Sequence, residues 1–421
     1  MRGPVLLPGD RDYDRARTLW NAMIDRRPAV IAGCMNVNDV IAALGLGREH
    51  GLPIAIRGGG HNVTGNAMCD GGIVIDLSRM RRCEVDAGRR MVRVEGGALL
   101  GDLDAATQAH GLATPVGINS TTGIAGLTLG GGIGHLMRLH GLTIDNLVAL
   151  DMVIATGERV RATEDENADL FWAVRGGGGN FGVVTSFSFR LHQVGPDLLS
   201  GMILYRAERA REVLRFYQDY VSTAPDRLGT IVSLRNAPPT PSIPAALHGA
   251  PIVGIISCYC GDPGEGETVL RPFRDLRPDL YAVEPRPFVE FQEMLNPTVP
   301  PGWNYYWKSH YLEPLSDAAV DVIVERAWRF RSSRSYTLLA HMGGAVARVA
   351  EDATAFSGRD SAHAININGV WTAEDADRAE DTAWVRGFFD AVMPHATGKA
   401  YINFLGNEGQ ERVRAAYGEA K

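Results

Sequence analysis

The sequence contains no stretch that approaches the roughly 18–20 consecutive apolar residues of a membrane-spanning helix. It has no block of basic residues, and its net charge is −7, so neither a membrane nor a nucleic acid is expected as a partner. The N-terminal residues MRGPVLLPGD combine a very short apolar run with early prolines, which is not typical of a secretory signal. These absences predict a cytoplasmic protein.

Cysteine is scarce: the count of five is odd, and the spacing does not suit a metal site. Cys258 and Cys260 share one face of an expected strand, where a disulfide would distort the extended backbone. The pattern predicts free thiols in a reducing compartment, without disulfides or zinc. The sequence also lacks internal repeats and low-complexity segments.

Glycine is what the chain has in excess. The 421 residues are 45% hydrophobic and 22% charged, which suits a globular protein long enough for two sizeable cores. The 49 glycines cluster in the first half of the chain. A backbone wrapped around a large cofactor has this composition.

The first glycine zone is the segment RGGGHN at residues 57–62, which follows an apolar strand expected at residues 53–56. Consecutive glycines let the backbone bend and expose successive N–H groups, which suits a pyrophosphate. His61 then stands at the rim of this cradle. Taken alone, the motif equally fits a glycine turn followed by a surface histidine.

The segments around this motif predict a βαβ unit, with a strand at residues 28–32 and a helix from Asn38 to about Gly51. An earlier helix is expected from Asp12 through Met23. A second glycine zone, residues 117–134, is too apolar for a linker and too rich in glycine for a regular helix or strand. A third, residues 175–182, runs into a strand at residues 183–189.

From about residue 196 the glycine content falls and the pattern predicts an antiparallel sheet with long polar helices. Near the C-terminus, residues 399–405 are predicted to form a strand that places Tyr401 and Asn403 on one face. Two polar side chains there suggest contact with a polar ligand, although a sheet edge would carry the same residues.

Together the segments IRGGGHN, TGIAGLTLGGGIG, GLTIDNL and FWAVRGGGGNFGVVT resemble the vanillyl-alcohol-oxidase-type flavoproteins with a PCMH-type FAD-binding domain. Within that superfamily the chain is similar to the berberine-bridge-enzyme-like oxidases. The resemblance implies an α+β fold: residues 1–195 form a two-part FAD-binding domain, residues 196–395 form a substrate domain with a large antiparallel sheet, and residues 396–421 return to the FAD domain.

By this resemblance His61 matches the histidine that the family bonds to the flavin 8α-methyl. The residues implied to contact FAD are Ile56, Arg57, Gly58, Gly59, Gly60, His61, Asn62, Gly117, Thr121, Thr122, Gly123, Gly126, Leu127, Gly130, Gly131, Gly134, Asn180, Gly182, Val184, Tyr401 and Asn403.

The sequence departs from the family pattern in three places. The loop at residues 111–123 lacks the cysteine that makes a second covalent bond in many relatives, and Asn119 stands near its position, so we expect a single bond through His61. The catalytic glutamate of the plant enzymes is absent, and Asn366 and Asn368 occupy that strand. Relatives also continue past the terminal helix, which suggests a shortened sequence.

The implied reaction is hydride transfer from a small organic alcohol, sugar, amine or secondary metabolite to FAD, with reoxidation by O₂ to hydrogen peroxide. The candidate catalytic residues are Tyr401, Tyr306, Lys308 and Asn403. The aromatic segment at residues 303–309 is either a substrate wall or a packed strand. A dehydrogenase with another electron acceptor and a catalytically idle flavin-binding protein are the alternatives. We expect a monomer or homodimer.

Overall fold

The computed structural model describes residues 1–375, 378–406, 408–418 and 421. The strands are β1 (Val5–Leu6), β2 (Val30–Gly33), β3 (Ile54–Arg57), β4 (Ile73–Asp76), β5 (Cys83–Asp86), β6 (Met91–Glu95), β7 (Leu112–Ala113), β8 (Leu147–Val153), β9 (Arg159–Thr163), β10 (Val183–Arg190), β11 (His192–Gln193), β12 (Asp197–Arg206), β13 (Leu228–Asn236), β14 (Pro251–Tyr259), β15 (Leu280–Pro287), β16 (Asn304–Leu312), β17 (Tyr336–His341) and β18 (His363–Trp371).

The α-helices are α1 (Tyr13–Ala16), α2 (Val37–Glu49), α3 (Leu100–Gln108), α4 (Ile124–Leu129), α5 (Met137–His140), α6 (Ala168–Val174), α7 (Ala210–Val221), α8 (Pro263–Asp275), α9 (Phe288–Glu293), α10 (Asp317–Arg326), α11 (Ala345–Arg348), α12 (Arg378–Val392) and α13 (Gln410–Tyr417). None of the helices in the described part of the chain is long and apolar enough to cross a membrane.

The first sheet has the order β1-β2-β4-β3, and its strands β2, β4 and β3 run parallel. Helix α2 connects β2 to β3, and the side chain of Asn36 accepts hydrogen bonds at its N-terminus. The predicted βαβ unit is therefore confirmed, and the RGGGHN segment leaves the C-terminal end of β3. Helix α1 ends at Ala16 instead of continuing to Met23, because the residues that follow bridge to a distant sheet.

A second sheet has the order β5-β6-β10-β8-β9. Against it lies the glycine zone at residues 117–134, which contains helix α4 despite its glycine content. The prediction that this zone holds no regular helix was wrong. The apolar residues Ile124 and Leu129 bury that helix against the sheet, and the flanking glycines Gly123 and Gly130 stand at its two ends.

The third sheet is antiparallel with the order β15-β12-β14-β13-β17-β18-β16. Helices α7, α8, α10 and α12 cover one face with a large apolar core. The opposite face packs on residues of the N-terminal part, such as Ile133, Met137 and Trp20. The predicted α+β class with a large antiparallel sheet is confirmed, and this face is the one that meets the N-terminal part of the chain.

The segment after α12 does not form the strand predicted at residues 399–405. Residues Ile402–Phe404 form a 3-10 helix instead, with Tyr401 in front of it. The side chains of Tyr401 and Asn403 bond to the backbone of the glycine-rich zone, and the backbone N–H groups of Phe404 and Leu405 bond within the segment itself.

Candidate active site

The RGGGHN segment presents a run of free hydrogen-bond donors. Within the described residues, the five backbone N–H groups from Gly58 to Asn62 have no acceptor. The side chain of Asn62 accepts hydrogen bonds from the backbone N–H groups of Thr64 and Asn66, which fixes the turn that follows. Successive unpaired N–H groups on one short bend form a binding site for an anion.

A second loop packs backbone to backbone on the first. A Cβ atom added to Gly59 would lie 2.3 Å from the backbone nitrogen of Gly123, and one added to Gly123 would lie 2.3 Å from the nitrogen of Gly59. Glycine is required at both positions by this close approach. Gly126, one turn further along α4, faces open space.

His61 stands half-buried at the end of this cradle. Its ring stacks on Trp20 with centroids 4.7 Å apart, and its Nε2 lies 3.0 Å from the hydroxyl of Thr121. That hydroxyl donates its own hydrogen to Oδ1 of Asn119 at 2.7 Å, so it accepts from His61 Nε2–H. This tautomer leaves the lone pair on Nδ1. Burial lowers the pKa of His61 to about 4, which keeps the ring neutral at physiological pH.

Trp20 links this loop to the large sheet. Its indole stacks on the ring of Tyr305 with centroids 3.7 Å apart, and its backbone N–H donates to the carbonyl of Gly60. The neighbouring Asn21 donates to the carbonyls of Val63 and Tyr305. These contacts hold the His61 loop against strand β16.

The sheet face opposite His61 carries a row of side chains in register across four strands. Trp307 pairs with Asn368, Asn368 with Tyr336, and Tyr336 with Arg235. In the next row on the same face, Ser309 pairs with Asn366. Several polar atoms in these two rows are buried without a hydrogen-bond partner in the described structure: Trp307 Nε1, Ser309 Oγ, Asn366 Nδ2, Asn368 Oδ1 and Arg235 Nε.

Buried polar atoms are normally satisfied, because leaving one unpaired costs about 1–3 kcal/mol. A cluster of them on one face beside an aromatic wall is typical of a ligand site. The large-sheet face around Asn366 and Asn368 and the glycine cradle with His61 therefore form the two walls of one candidate active site.

Comparisons with known proteins show the family of this chain. A family described as an FAD binding domain matches residues 28–163. An FAD-linked oxidoreductase of Dictyostelium discoideum is 31% identical over 425 residues, which cover 100% of this chain and 89% of the relative. This chain belongs to the FAD-linked oxidoreductases.

Two solved structures share the fold of this FAD-linked oxidoreductase. The 6-hydroxy-D-nicotine oxidase from Arthrobacter nicotinovorans matches with a TM-score of 0.87 and 25% identity, covering 100% of this chain and 92% of that one. The Physcomitrella patens berberine-bridge-enzyme-like 1 protein matches with a TM-score of 0.89 and 24% identity, at the same coverage. The family predicted from the glycine segments is confirmed.

The cradle of this FAD-linked oxidoreductase fits its cofactor. The five free N–H groups suit the pyrophosphate, and the open side of Gly126 leaves room beside them. Ile56 and Arg57 end strand β3 directly before the cradle, and the Arg57 guanidinium donates to the carbonyl of Ala16.

Most other glycines predicted to contact FAD are packed against protein atoms on the side where a Cβ atom would stand. A Cβ atom on any of them would clash: Gly117 with the Leu127 side chain (2.9 Å), Gly130 with the Asn403 side chain (2.2 Å), Gly131 with the Phe356 ring (2.6 Å), Gly134 with the carbonyl oxygen of Val116 (1.7 Å) and Gly182 with that of Val153 (2.5 Å). They shape the cradle by letting its segments approach. Val184 is buried in β10, Asn180 is exposed, and the Thr122 carbonyl accepts from the backbone of Leu100.

The structure turns two predicted catalytic residues away from the site. Tyr306 and Lys308 alternate with Tyr305 and Trp307 along β16, so they point to the helix-covered face. Lys308 forms an ion pair with Glu408 at 2.7 Å. The placement argues against a catalytic role for Tyr306 and Lys308.

Tyr401 and Asn403 hold the C-terminal segment on the glycine-rich zone. The Tyr401 hydroxyl accepts hydrogen bonds from the Gly132 backbone and from Asn403 Nδ2, both at 3.0 Å, and Asn403 also donates to the Leu127 carbonyl. Burial raises the pKa of Tyr401, whereas a base at neutral pH needs a lowered one. The geometry therefore favours a positioning role for this pair over that of a base.

Three residues of the site were not predicted from the sequence: Trp20, Tyr336 and Arg235. Trp20 lies in a segment predicted to be helical, and nothing local shows that it reaches His61. Arg235 had a usable signal, because it alternates inward with Ile231 and Ser233 at the end of an apolar strand. A charged side chain in that position is unusual in a buried sheet.

Asp104 links the FAD-binding half of this oxidoreductase to helix α9. Its carboxyl accepts a hydrogen bond from Gln292 Nε2 at 3.2 Å, and Gln292 also donates to the Gly117 carbonyl at the start of the glycine-rich zone. Desolvation by burial raises the pKa of Asp104 to about 7. The folded state therefore binds a proton on Asp104 at a higher pH than the unfolded state does.

Between pH 4 and pH 7 the folded state holds this extra proton, so the stability from Asp104 is full below pH 4 and is lost as the pH rises through 7. Asp104→Asn keeps the hydrogen bond without the charge. We expect it to raise the unfolding free energy at pH 8 by on the order of 3 kcal/mol relative to wild type, and by only about a third as much at pH 5. Urea unfolding at both pH values measures this difference. An exposed aspartate variant, Asp219→Asn, is the control, and equal curves for Asp104→Asn and wild type at pH 8 would contradict the assignment.

Proposed function

We propose that this FAD-linked oxidoreductase is an oxidase of a small organic substrate and that its flavin is bonded to His61. The observation that carries the proposal is the half-buried, neutral imidazole at the end of five free N–H groups. When bound, FAD accepts a hydride from the substrate and passes the electron pair to O₂, which gives hydrogen peroxide. The related nicotine oxidase structure supports oxidation as the class of reaction.

His61 is prepared as a nucleophile by its neighbours. The hydrogen-bond chain from Nε2 through Thr121 to Asn119 fixes the tautomer, and Nδ1 keeps its lone pair. Stacking on Trp20 holds the ring plane. We infer that Nδ1 is the atom that bonds to the flavin 8α-methyl, and that the bond is single because Asn119 stands where relatives carry a second attachment.

On the opposite wall the chain supplies orientation without a general base. The neutral polar side chains with unpartnered atoms in the two rows are the amides Asn366 and Asn368, the hydroxyl of Ser309 and the indole N–H of Trp307. None of these groups ionises near neutral pH. They hydrogen-bond the substrate and, with the aromatic rings around Trp20, exclude water from the reacting centre.

The electron acceptor is tested on the holoenzyme without knowledge of the substrate. Anaerobic reduction with dithionite is followed by stopped-flow mixing with air-saturated buffer, while flavin absorbance and peroxide are recorded. We expect complete reoxidation during the mixing experiment with about one peroxide per flavin, as two-electron transfer requires. A reduced form that persists in air but is reoxidised by a quinone would identify a dehydrogenase instead.

A further inference from the structure

Arg235 is a partly buried cation without a counter-ion. Its Nε is buried and unpartnered, and within the described residues its guanidinium has no carboxylate or carbonyl partner. The two arginines that are most buried among the described residues are paired: Arg359 with Asp145 at 2.7 Å, and Arg138 with the Met342 carbonyl at 2.7 Å. Desolvating a cation is costly unless an anion compensates it, so an unpaired one in a fold that pairs its others needs a reason.

The position of Arg235 gives that reason. It ends the in-register row Trp307, Asn368, Tyr336, Arg235 on the sheet face that forms one wall of the active site. Its guanidinium stands over the ring of Tyr336 with 5.2 Å to the centroid. Tyr336 belongs to the same apolar cluster as Trp20, which stacks on His61.

We propose that Arg235 binds a carboxylate of the substrate, so that the substrate of this enzyme is a flat organic acid. This inference deepens the proposed function and rests on it. A guanidinium presents paired donors that match a carboxylate, and such charge-assisted bonds are strong where water is excluded. The cation–π contact with the Tyr336 ring restricts where this guanidinium can lie.

The row also sets the size of the substrate. Trp307 and Arg235 are separated by three strand spacings of about 4.8 Å, or about 14 Å in all. Apart from Arg235, the unpartnered polar atoms of this row are neutral: Asn368 Oδ1 is an acceptor, and Trp307 Nε1 is a donor. The site therefore suits an acid with one or two rings whose anionic end lies at Arg235 and whose reacting end lies towards Trp307.

The test uses pairs of probes that differ only in charge: benzoate and benzamide, phenylacetate and phenylacetamide, indole-3-acetate and indole-3-acetamide. Each is titrated into the holoenzyme while flavin absorbance is recorded. For at least one pair we expect the acid to bind about 10-fold or more tightly than the amide. This preference is expected to fall below about 2-fold in Arg235→Met and to be partly kept in Arg235→Lys.

Arg274→Met is the matched control, because Arg274 also stands over a tyrosine ring, that of Tyr281 at 5.6 Å, but is exposed on helix α8. It should keep the full preference. Equal binding of acid and amide in every pair, including no binding of either, would overturn the proposal, and so would a preference that survives Arg235→Met.

Thermal unfolding gives a second readout. An unpaired, partly buried cation that serves to bind a ligand lowers the stability of the unliganded protein. Arg235→Met should therefore leave the melting temperature unchanged or raise it. A lowered melting temperature would indicate a structural role for the Tyr336 stacking and would contradict the proposal. Flavin content and peroxide release are measured on the same samples. If the protein holds flavin and releases peroxide but binds acids no more tightly than amides, the proposed function still holds and only this inference is wrong.

Discussion

Replacing His61 by alanine is expected to remove all covalently bound flavin. Its Nδ1 is the free lone pair at the end of the N–H cradle, and no other side chain of the described structure replaces it there. In wild type, a denaturing gel viewed under ultraviolet light should show a fluorescent band at the protein's mass. The band should be absent in His61→Ala, while FAD added in excess still colours the native protein because the N–H groups remain.

Two further variants separate the nucleophile from its support. Thr121→Val removes the acceptor that fixes the tautomer, so covalent flavin should form more slowly and still reach completion. His50→Ala changes an exposed histidine at the end of α2 and should behave as wild type. A fluorescent band of full intensity in His61→Ala would place the bond on another residue.

Replacing Arg359 by leucine is expected to cost about 3–5 kcal/mol of unfolding free energy. The side chains of Arg359 and Asp145 are 2% and 8% exposed and form a bidentate pair, with nitrogen–oxygen distances of 2.7 and 3.0 Å. Leucine leaves the carboxylate of Asp145 buried without its counter-ion. The pair joins the segment before β8 to the segment before β18, so its loss weakens the contact between the two halves.

Urea unfolding of the holoenzyme measures this cost. Arg215→Ala breaks the exposed pair of Arg215 with Asp317, also at 2.7 Å, and should cost less than about 1 kcal/mol. Asp145→Asn combined with Arg359→Leu removes both charges and should recover part of the loss. A cost for Arg359→Leu as small as that for Arg215→Ala would show that the buried pair contributes little.

The sequence was most informative where the backbone itself makes the site. Three glycine zones in a fixed order predict the family, the fold class and the cradle at residues 58–62, because glycine is required where segments touch. Gly59 and Gly123 illustrate this, since each excludes a Cβ on the other. The sequence does not show what packs where the side chain of a glycine would stand, and at Gly130 and Gly131 protein atoms occupy that side.

Side-chain roles were less predictable, because both faces of the large sheet are covered. Strand β16 alternates Tyr305 and Trp307 with Tyr306 and Lys308, and its aromatic and polar residues occur on both faces. Periodicity separates the two sets without showing which one faces the cofactor. That choice depends on Trp20, a contact across 285 positions to Tyr305 that no local pattern encodes.

The hydrogen bond from Gly132 to the Tyr401 hydroxyl joins residues 269 positions apart in the chain. Asn403 and the ion pair of Lys308 with Glu408 fasten the same late segment to both halves. During synthesis, the glycine-rich zone therefore leaves the ribosome long before the residues that brace it. The brace on the glycine-rich zone can form only once residues 401–408 have been synthesised.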